Sequence, residues 1–243
     1  MSDTLIPSDA VEAIQAGVKT ETIRTDNREF LTREVFLPPA EPLPKAIEVH
    51  TLSGFIEFVE HFAERNKLDL IQVCDHSIVQ ALGNISGLHQ RRAVYAQATL
   101  LGQNKFRFNQ YLTPEDFIIG VQTGFASSDM KDRLLALVGN LKDEKVRNIA
   151  DDGITQMVTV KAGISLVAEQ PVPNPVALAP YRTFPEIIQP SSLFVLRVQG
   201  GKEGQLPTIG LFETCDGQWQ LRAIKDIQNY FDEHLDKDIP VIA

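Results

Sequence analysis

The sequence predicts an α+β fold, with largely antiparallel sheets and about four main helices packed on the sheet faces. Two observations carry this prediction. Apolar residues recur at helical spacing in four segments, 52–65, 113–124, 127–141 and 222–236. Between these segments lie short apolar or alternating runs bounded by Gly, Asn and Asp, a pattern typical of strands.

Composition limits the classes of protein to consider. The chain has 243 residues, 43% of them hydrophobic, and a formal net charge of −9, which argues against non-specific nucleic-acid binding. Cys74 and Cys215 form no CxxC or Cys/His pair, which predicts no zinc site and fits a reducing cytosol. The first residues lack the features of a signal peptide, and no apolar run approaches the roughly 18 residues that cross a bilayer. We therefore expect a cytoplasmic protein that does not associate with a membrane.

Residues 1–48 are predicted to form an N-terminal arm, and residues 49–243 a single α+β domain. Ser8 can cap a short helix that ends near Gly17, and residues 28–37 resemble a strand. The proline-rich run at 38–44 is a stiff spacer. Such an arm either packs on a neighbouring subunit or forms a loose tail.

The first helix of the domain is predicted at 52–65, with Thr51 as its cap. The next run, 68–82, predicts two short strands around Asp75 and His76. The consecutive Cys74, Asp75 and His76 suggest a nucleophile with its base and orienting group. Neighbouring strand residues point to opposite faces, so Asp75 is directed away from the other two. We therefore favour a buried cysteine beside a turn.

A hairpin is predicted over residues 91–111, with Gly102, Gln103 and Asn104 as its loop. Alternation places cations, tyrosines and amides on one face of the two strands, where they suit an anionic, planar ligand. The alternative is an ordinary solvated sheet face. The candidate ligand-binding residues on this face are Arg91, Tyr95, Gln97, Lys105, Arg107, Asn109 and Tyr111.

Two further helices follow in the middle of the chain. Thr113 caps the first, with Pro114 at its first position, and the second begins at Ser127 or Ser128 and closes near Gly139 and Asn140. Residues 143–167 predict strands, in which Asp151 and Asp152 form a turn more simply than a metal site. Residues 169–192 hold six of the 14 prolines, which excludes an interior strand. Ile187 and Ile188 there predict packing against the sheet.

Residues 193–236 predict three strands, one tight turn and a closing helix. Asp216 and Gly217 suit a type I′ turn, which would join a strand ending at Thr214 to one beginning near Trp219. Residues 193–199 are apolar on both faces, as in a central strand. Helical spacing resumes from Ile224, so the helix is predicted at 222–236. Trp219 would then belong to the core rather than to a ligand platform.

Sequence motifs predict no metal site, no cofactor and no catalytic residues. The glycine-rich run at 200–204 has neither the spacing of a phosphate-binding loop nor a following helix. Absence of a motif does not exclude an enzyme, because active sites are built from dispersed residues.

Five blocks of sequence follow one another in the chain: SGFIEFVEHF, RRAVYAQ, YLTPEDFIIGVQTGF, PYRTFPEIIQPSSLFVLR and GLFETCDGQWQLRAIKDIQNYF. In this order they resemble the YfdQ-like family of phage and prophage proteins, whose biochemical function is unknown. The resemblance covers the chain from about residue 50 onward and includes no active-site residues. It implies a phage protein that acts in the cytoplasm of a bacterial host.

The sequence therefore predicts a non-enzymatic phage accessory protein that binds a host protein or a small anionic, nucleotide-like ligand, as a homo-oligomer. Counter-defence, by binding a host nucleotide signal, is one such role by analogy. One alternative is a metal-dependent enzyme that acts on nucleotides or nucleic acid through Asp75, Asp151 and Asp152. Another is a structural protein whose N-terminal arm joins the subunits of an oligomer.

Overall fold

The structure is a computed structural model. It describes residues 22–25, 28–31, 42–61, 65–87, 89–102, 104–148, 156–162, 166–200, 207–214, 217–235 and 239–243. The chain divides into two compact units, one formed by residues 1–42 with 86–91 and the other by residues 43–85 with 92–243. The predicted helix at 8–17 lies outside the described residues, and the predicted boundary at residue 48 stays a prediction.

The described residues form four α-helices and fourteen strands. The helices are α1 (Leu52–His61), α2 (Pro114–Gly124), α3 (Asp129–Gly139) and α4 (Gln218–His234). The first seven strands are β1 (Thr22–Thr25), β2 (Arg28–Leu31), β3 (Ile47–Val49), β4 (Leu68–Asp75), β5 (Ile78–Gly83), β6 (Val94–Thr99) and β7 (Tyr111–Leu112). The others are β8 (Leu141–Asn148), β9 (Gln156–Ala162), β10 (Leu166–Pro171), β11 (Val176–Leu178), β12 (Ser192–Gln199), β13 (Thr208–Glu213) and β14 (Val241–Ile242).

The smaller unit contains the antiparallel pair β1–β2, so the strand predicted from residue 28 is confirmed over its first four residues. The same unit contains a turn at residues 86–91, in which Ser86 and Arg91 exchange two backbone hydrogen bonds of 3.0 and 3.1 Å.

The larger unit contains a sheet ordered β14-β4-β5-β6-β3, which we call, with α1 and α4, the five-stranded layer. Its β4, β5 and β6 are antiparallel, and the two edge strands run parallel to their neighbours. One sheet face is buried because its alternate residues are small or branched apolar side chains, such as Val79, Ala81 and Ala96. Phe55 of α1 and Phe231 of α4 pack in the same core with ring centroids 5.6 Å apart.

A second sheet is ordered β11-β12-β13-β7 and is entirely antiparallel. With α2 and α3 it forms the four-stranded layer, and β12 is central as predicted. Its core is rich in phenylalanine, with Phe106, Phe125 and Phe194 among the buried rings. A third sheet, β10-β9-β8, adjoins β12, where the buried side-chain amide of Gln156 forms hydrogen bonds with the backbone of Val198. The prediction of strands over residues 143–167 is confirmed by β8, β9 and β10. Asp151 and Asp152 lie outside the described residues.

The helix starts follow the predicted capping residues. Thr113 accepts a hydrogen bond from the backbone N–H of Asp116 at 3.2 Å, and Ser128 accepts one from Lys131 at 3.2 Å. The backbone of α1 is capped by Thr51 at 3.1 Å and also by the carboxylate of Glu186, which accepts from Leu52 at 2.8 Å. Helix α1 is described as far as His61, and α3 is shorter than predicted, running from Asp129 to Gly139.

The predicted hairpin at Asp216 and Gly217 is wrong. Gly217 does have the positive φ, 73°, that the turn requires, but it is the N-cap of α4, which begins four residues earlier than predicted. The reason is that neither edge of β13 is free. Strand β12 pairs along one edge, and on the other Asn109 donates its backbone N–H to Leu211 at 2.9 Å and accepts from the N–H of Glu213 at 3.3 Å. A strand at 218–222 would have nothing to pair with on β13.

The fold class is confirmed as α+β with mostly antiparallel sheets and four helices among the described residues. The proline-rich region provides the edge strand β11 and the last three residues of the edge strand β10, and β12 begins at its last residue, Ser192. Ile187 is buried at 9% exposure, but Ile188 is 88% exposed, so the prediction that both pack inward holds for Ile187 alone.

A candidate ligand-binding groove and a neighbouring cavity

The predicted hairpin over residues 91–111 is also wrong, so the seven candidate ligand-binding residues do not share one sheet face. Strand β6 pairs with β5 on one edge and with β3 on the other, and residues 105–111 have no free edge of β6 to join. Residues 111 and 112 pair instead with β13, in the other layer. Arg91 lies in the smaller unit, in the turn with Ser86.

Alternation within β6 was predicted correctly. Tyr95 and Gln97 lie on the half-exposed face of the five-stranded sheet, while Ala96 and Ala98 are fully buried on the other face. Gln97 accepts a hydrogen bond from the side-chain amide of Gln80 at 2.7 Å and donates to Thr99 at 3.1 Å. Both the oxygen and the nitrogen of the Gln97 side-chain amide therefore form hydrogen bonds within the sheet.

Two more candidates belong to the edge of β13. Asn109 holds that edge through the two hydrogen bonds described above, in a left-handed conformation with φ of 59°. Tyr111 is 46% exposed, and its ring meets that of Phe212 edge-on at 5.5 Å. The structure explains Asn109 as a structural residue, a role that its sequence context did not indicate.

Lys105 and Arg107 remain together, at a groove of about 650 Å³ in the larger unit. Arg107 lies 3.4 Å from Asp116, and both side chains are more than half exposed, so this ion pair is weak. The aromatic ring of Tyr181 is 48% exposed at the same groove, as are the apolar side chains of Leu101 and Ile119, at 70% and 52%.

The groove is shaped by a close contact between α2 and the segment that follows Gly102. Added Cβ atoms would lie 2.7 Å from the ring of Phe106 at Gly120 and 2.7 Å from the side chain of Asn104 at Gly124. The amide of Asn104 donates to the carbonyl of Gly124 at 2.7 Å and accepts from the N–H of Phe106 at 2.9 Å. Two glycines one helical turn apart thus let the segment carrying Lys105 and Arg107 lie directly on the helix.

A smaller cavity of about 450 Å³ adjoins the groove and shares Leu100, Gly102 and Asn104 with it. The five-stranded layer contributes the β4–β5 turn and the end of β6, through His76, Ser77 and Thr99. Phe108, Arg182 and the indole of Trp219 also line the cavity. The prediction that Trp219 belongs to the core is therefore wrong, because this residue lies half-buried at a cavity in the first turn of α4.

Arg182 is the most constrained charged side chain at this cavity. It is 8% exposed, and its guanidinium donates to Glu213 at 2.8 Å and to Ser192 at 3.0 Å. The guanidinium carbon also lies over three aromatic rings, 4.3 Å from the centre of Trp219 and 5.5 and 5.7 Å from Phe108 and Phe194. Burial lowers the pKa of Arg182, and the hydrogen bond and charge of Glu213 oppose that shift.

The loop that carries Arg182 is held by the buried side chain of Gln189. Its amide oxygen accepts from the backbone N–H groups of Arg182 and Thr183, and its amide nitrogen donates to three carbonyls of the same loop. Thr183 in turn donates to the carbonyl of His76 at 2.7 Å, which ties the loop to the five-stranded layer. Sequence reasoning missed Arg182 and Gln189; polar residues between prolines in an otherwise apolar stretch were the available signal.

The consecutive Cys74, Asp75 and His76 do not form a catalytic group. Asp75 accepts from the backbone N–H and the hydroxyl of Ser77 at 2.6 and 2.8 Å, which closes the turn. Partial desolvation by neighbouring atoms, and then the charge of Asp75, raise the pKa of the Cys74 thiol, which is the opposite of what a nucleophile requires. The turn was predicted correctly, but Cys74 is exposed rather than buried.

Within the described ranges, no group of three or more His, Cys, Asp or Glu side chains is arranged to hold a metal ion. Of the three acids considered for a metal-dependent enzyme, only Asp75 is described. No helix in the described part of the chain is long and apolar enough to cross a membrane.

Comparison of the chain with protein-family models, with curated proteins and with solved structures finds no match. The resemblance to the YfdQ-like phage family therefore stays a prediction from the order of the sequence blocks.

Proposed function

We propose that this protein is a non-enzymatic binding protein, encoded by a phage, and that its groove at Lys105 and Arg107 binds a small anionic, nucleotide-like ligand. One observation carries the proposal: two exposed cations and an exposed tyrosine line one groove, in a chain whose net charge is −9. Phage origin and counter-defence rest on the sequence resemblance alone.

The charges of the groove suit an anion. No described residue pairs with the ammonium of Lys105, and Arg107 has only its weak ion pair with Asp116. An anionic ligand could therefore take the place of Asp116 beside Arg107 at little cost, since exposed ion pairs contribute about 0 to 1 kcal/mol. The ring of Tyr181 offers an exposed aromatic surface for a planar group.

Native mass spectrometry of protein purified gently from bacterial cells is the first test. A retained mass in the nucleotide range would support the proposal and would give the subunit count in the same spectrum. A homo-oligomer without added mass would favour the structural alternative, and a retained host polypeptide would favour a protein partner.

Variants then locate the site. Lys105→Ala with Arg107→Ala should weaken binding of a fluorescent ATP analogue at least about tenfold, because hydrogen bonds to charged groups contribute about 1.5 to 3 kcal/mol each. Asp116→Asn should strengthen binding, because it removes the competing carboxylate. Fluorescence anisotropy at fixed ionic strength measures both effects.

The matched control is Arg133→Ala with Lys225→Ala, which removes the same two kinds of charge from exposed positions on α3 and α4 outside the groove. Equal weakening by both double variants would show that net charge, not the groove, determines binding. Unchanged affinity in the Lys105/Arg107 variant would refute the site.

A further inference from the structure

The cavity beside the groove offers hydrogen-bonding groups that the fold leaves uncommitted. Among the described residues, none accepts a hydrogen bond from the indole N–H of Trp219, and none bonds to the imidazole nitrogens of His76. The two rings meet each other at 72° with centroids 4.8 Å apart, so each is held in place by the other. Arg182 lies over the indole at 4.3 Å, which fixes that ring further.

The hydroxyl groups in the cavity are only partly used. Ser77 donates its hydroxyl hydrogen to Asp75, and Thr99 accepts from Gln97. The Ser77 oxygen thus remains free to accept and the Thr99 hydroxyl to donate, since a hydroxyl has one donor and two acceptor positions. The indole N–H, one imidazole N–H and the Thr99 hydroxyl thus give the cavity three donors, beside acceptors on Ser77, Thr99 and the imidazole.

Apart from Gly102 and Asn104, whose amide bonds to Gly124 and Phe106, the remaining lining residues are apolar or positively charged. Ile78, Leu100 and Phe108 line the cavity with aliphatic and aromatic surface. The buried guanidinium of Arg182 disfavours a cationic ligand, even with Glu213 beside it. The volume of about 450 Å³ lies within the usual size range of small-molecule sites, which are mostly apolar with a few placed polar groups.

We infer that this cavity binds a small planar molecule that is neutral or anionic and carries hydrogen-bond acceptors, held by Trp219, His76 and Thr99. Nucleobases and aromatic carboxylates share this chemistry. The inference goes beyond the proposed function, because the cavity has its own polar groups and needs neither Lys105 nor Arg107.

The chain contains its own reporter, because Trp219 is the sole tryptophan and lies in the cavity wall. Intrinsic fluorescence should change saturably when guanosine, uridine, benzoate or nicotinate is added to the full chain at millimolar concentration. Isothermal titration calorimetry should give the same dissociation constant. A response to the nucleosides alone or to the carboxylates alone identifies the source of the ligand.

Two variants test the cavity directly. His76→Ala should weaken binding roughly two- to tenfold, the range that one aromatic contact provides. Thr99→Phe should abolish binding, because the larger ring fills the cavity from a half-exposed strand position. His61→Ala is the matched control, since His61 is exposed on α1, lies outside the cavity and bonds to the backbone of Glu57. Circular dichroism checks that each variant is folded.

The groove variant Lys105→Ala with Arg107→Ala separates this inference from the proposed function, and nucleoside binding should persist in it. No saturable response to any of the four compounds would overturn the inference, as would equal affinity of Thr99→Phe and the unchanged chain. Either result leaves the ATP-analogue test of the groove unaffected.

Discussion

The five-stranded and four-stranded layers solve the same packing problem with different side chains. In the five-stranded layer, alanines and branched aliphatic residues of β4 to β6 lie under α1 and α4, and Phe55 meets Phe231. In the four-stranded layer, a cluster of phenylalanines fills the space between β11–β13 and helices α2 and α3. Both interiors are mostly apolar, and three of the five buried polar residues among the described ones, Thr183, Gln189 and Ser192, lie around Arg182 where the layers meet. The comparison teaches that the two cores bury apolar surface, whereas the loop that joins the layers is held by buried polar groups.

The largest expected effect comes from the cores themselves. Phe125→Ala and Phe55→Ala should each lower the free energy of unfolding by about 3 to 5 kcal/mol, because both rings are fully buried. The loss should be larger for Phe125→Ala, since the Phe125 ring contacts those of Phe106, Phe108 and Phe194. Urea denaturation measures both values.

The same experiment tests whether the layers unfold together. Trp219 fluorescence at the junction and far-UV circular dichroism should change in one transition, because Thr183 and Arg182 join the layers. Two separated transitions in either variant would show that the layers are independent. Ile188→Ala, at an 88% exposed position, is the control and should change stability by less than about 0.5 kcal/mol.

A smaller effect is expected at the junction. Arg182→Met should lower the free energy of unfolding by about 3 kcal/mol, because Glu213, 22% exposed, keeps its charge without a partner. Adding Glu213→Leu should recover most of the loss, since replacing both members of a buried pair by apolar groups is often neutral.

The control for this pair is Arg222→Met. Arg222 is 72% exposed and pairs with Asp226 on the surface of α4, so its loss should cost less than about 0.5 kcal/mol. If Arg182→Met lowered the free energy of unfolding as little as Arg222→Met does, the stability of the junction would not depend on the buried ion pair between Arg182 and Glu213.

The smallest effect concerns Cys74, at the end of β4 beside the cavity turn. Its raised pKa leaves less thiolate near neutral pH, so iodoacetamide should react more slowly with the folded chain than with the unfolded one. Asp75→Asn should accelerate the reaction, because it removes the nearby negative charge. Mass spectrometry in a Cys215→Ser background follows the rate against pH.

The raised pKa of Cys74 also determines how the stability of the fold changes with pH. Because folding raises the pKa of this thiol, its stabilising contribution is complete below the ordinary thiol pKa and is lost as the pH rises through the folded value. A reaction rate whose pH midpoint lies at or below that of the unfolded chain would contradict the prediction.

Local patterns in the sequence were enough to predict the helices and most strands. Thr113, Ser128 and Thr51 cap helices as predicted, and the alternation of Tyr95, Ala96, Gln97 and Ala98 gives the correct faces of β6. Both predicted hairpins failed for one reason. Strand pairing depends on which edges other segments already occupy, and these segments lie far away in sequence, as Asn109 does from β13 and β3 does from β6.

For the candidate sites, too, some residues were found from local sequence and others are brought together only by the tertiary structure. Lys105 and Arg107 were two of the seven candidate residues on one predicted hairpin face; that face does not form, but the structure places these two at one groove. Trp219, His76 and Arg182 come together only through tertiary contacts between segments more than thirty residues apart.

The sequence by itself determined the α+β class, the starts of α1, α2 and α3 and the buried face of β6, because these follow from side-chain spacing and capping chemistry within a few residues. Only the tertiary structure decided which strands pair, that α4 begins directly after Gly217, and that a buried arginine and the sole tryptophan share a cavity wall. Those outcomes depend on competition among distant segments for the same sheet edges and the same space, which local patterns do not record.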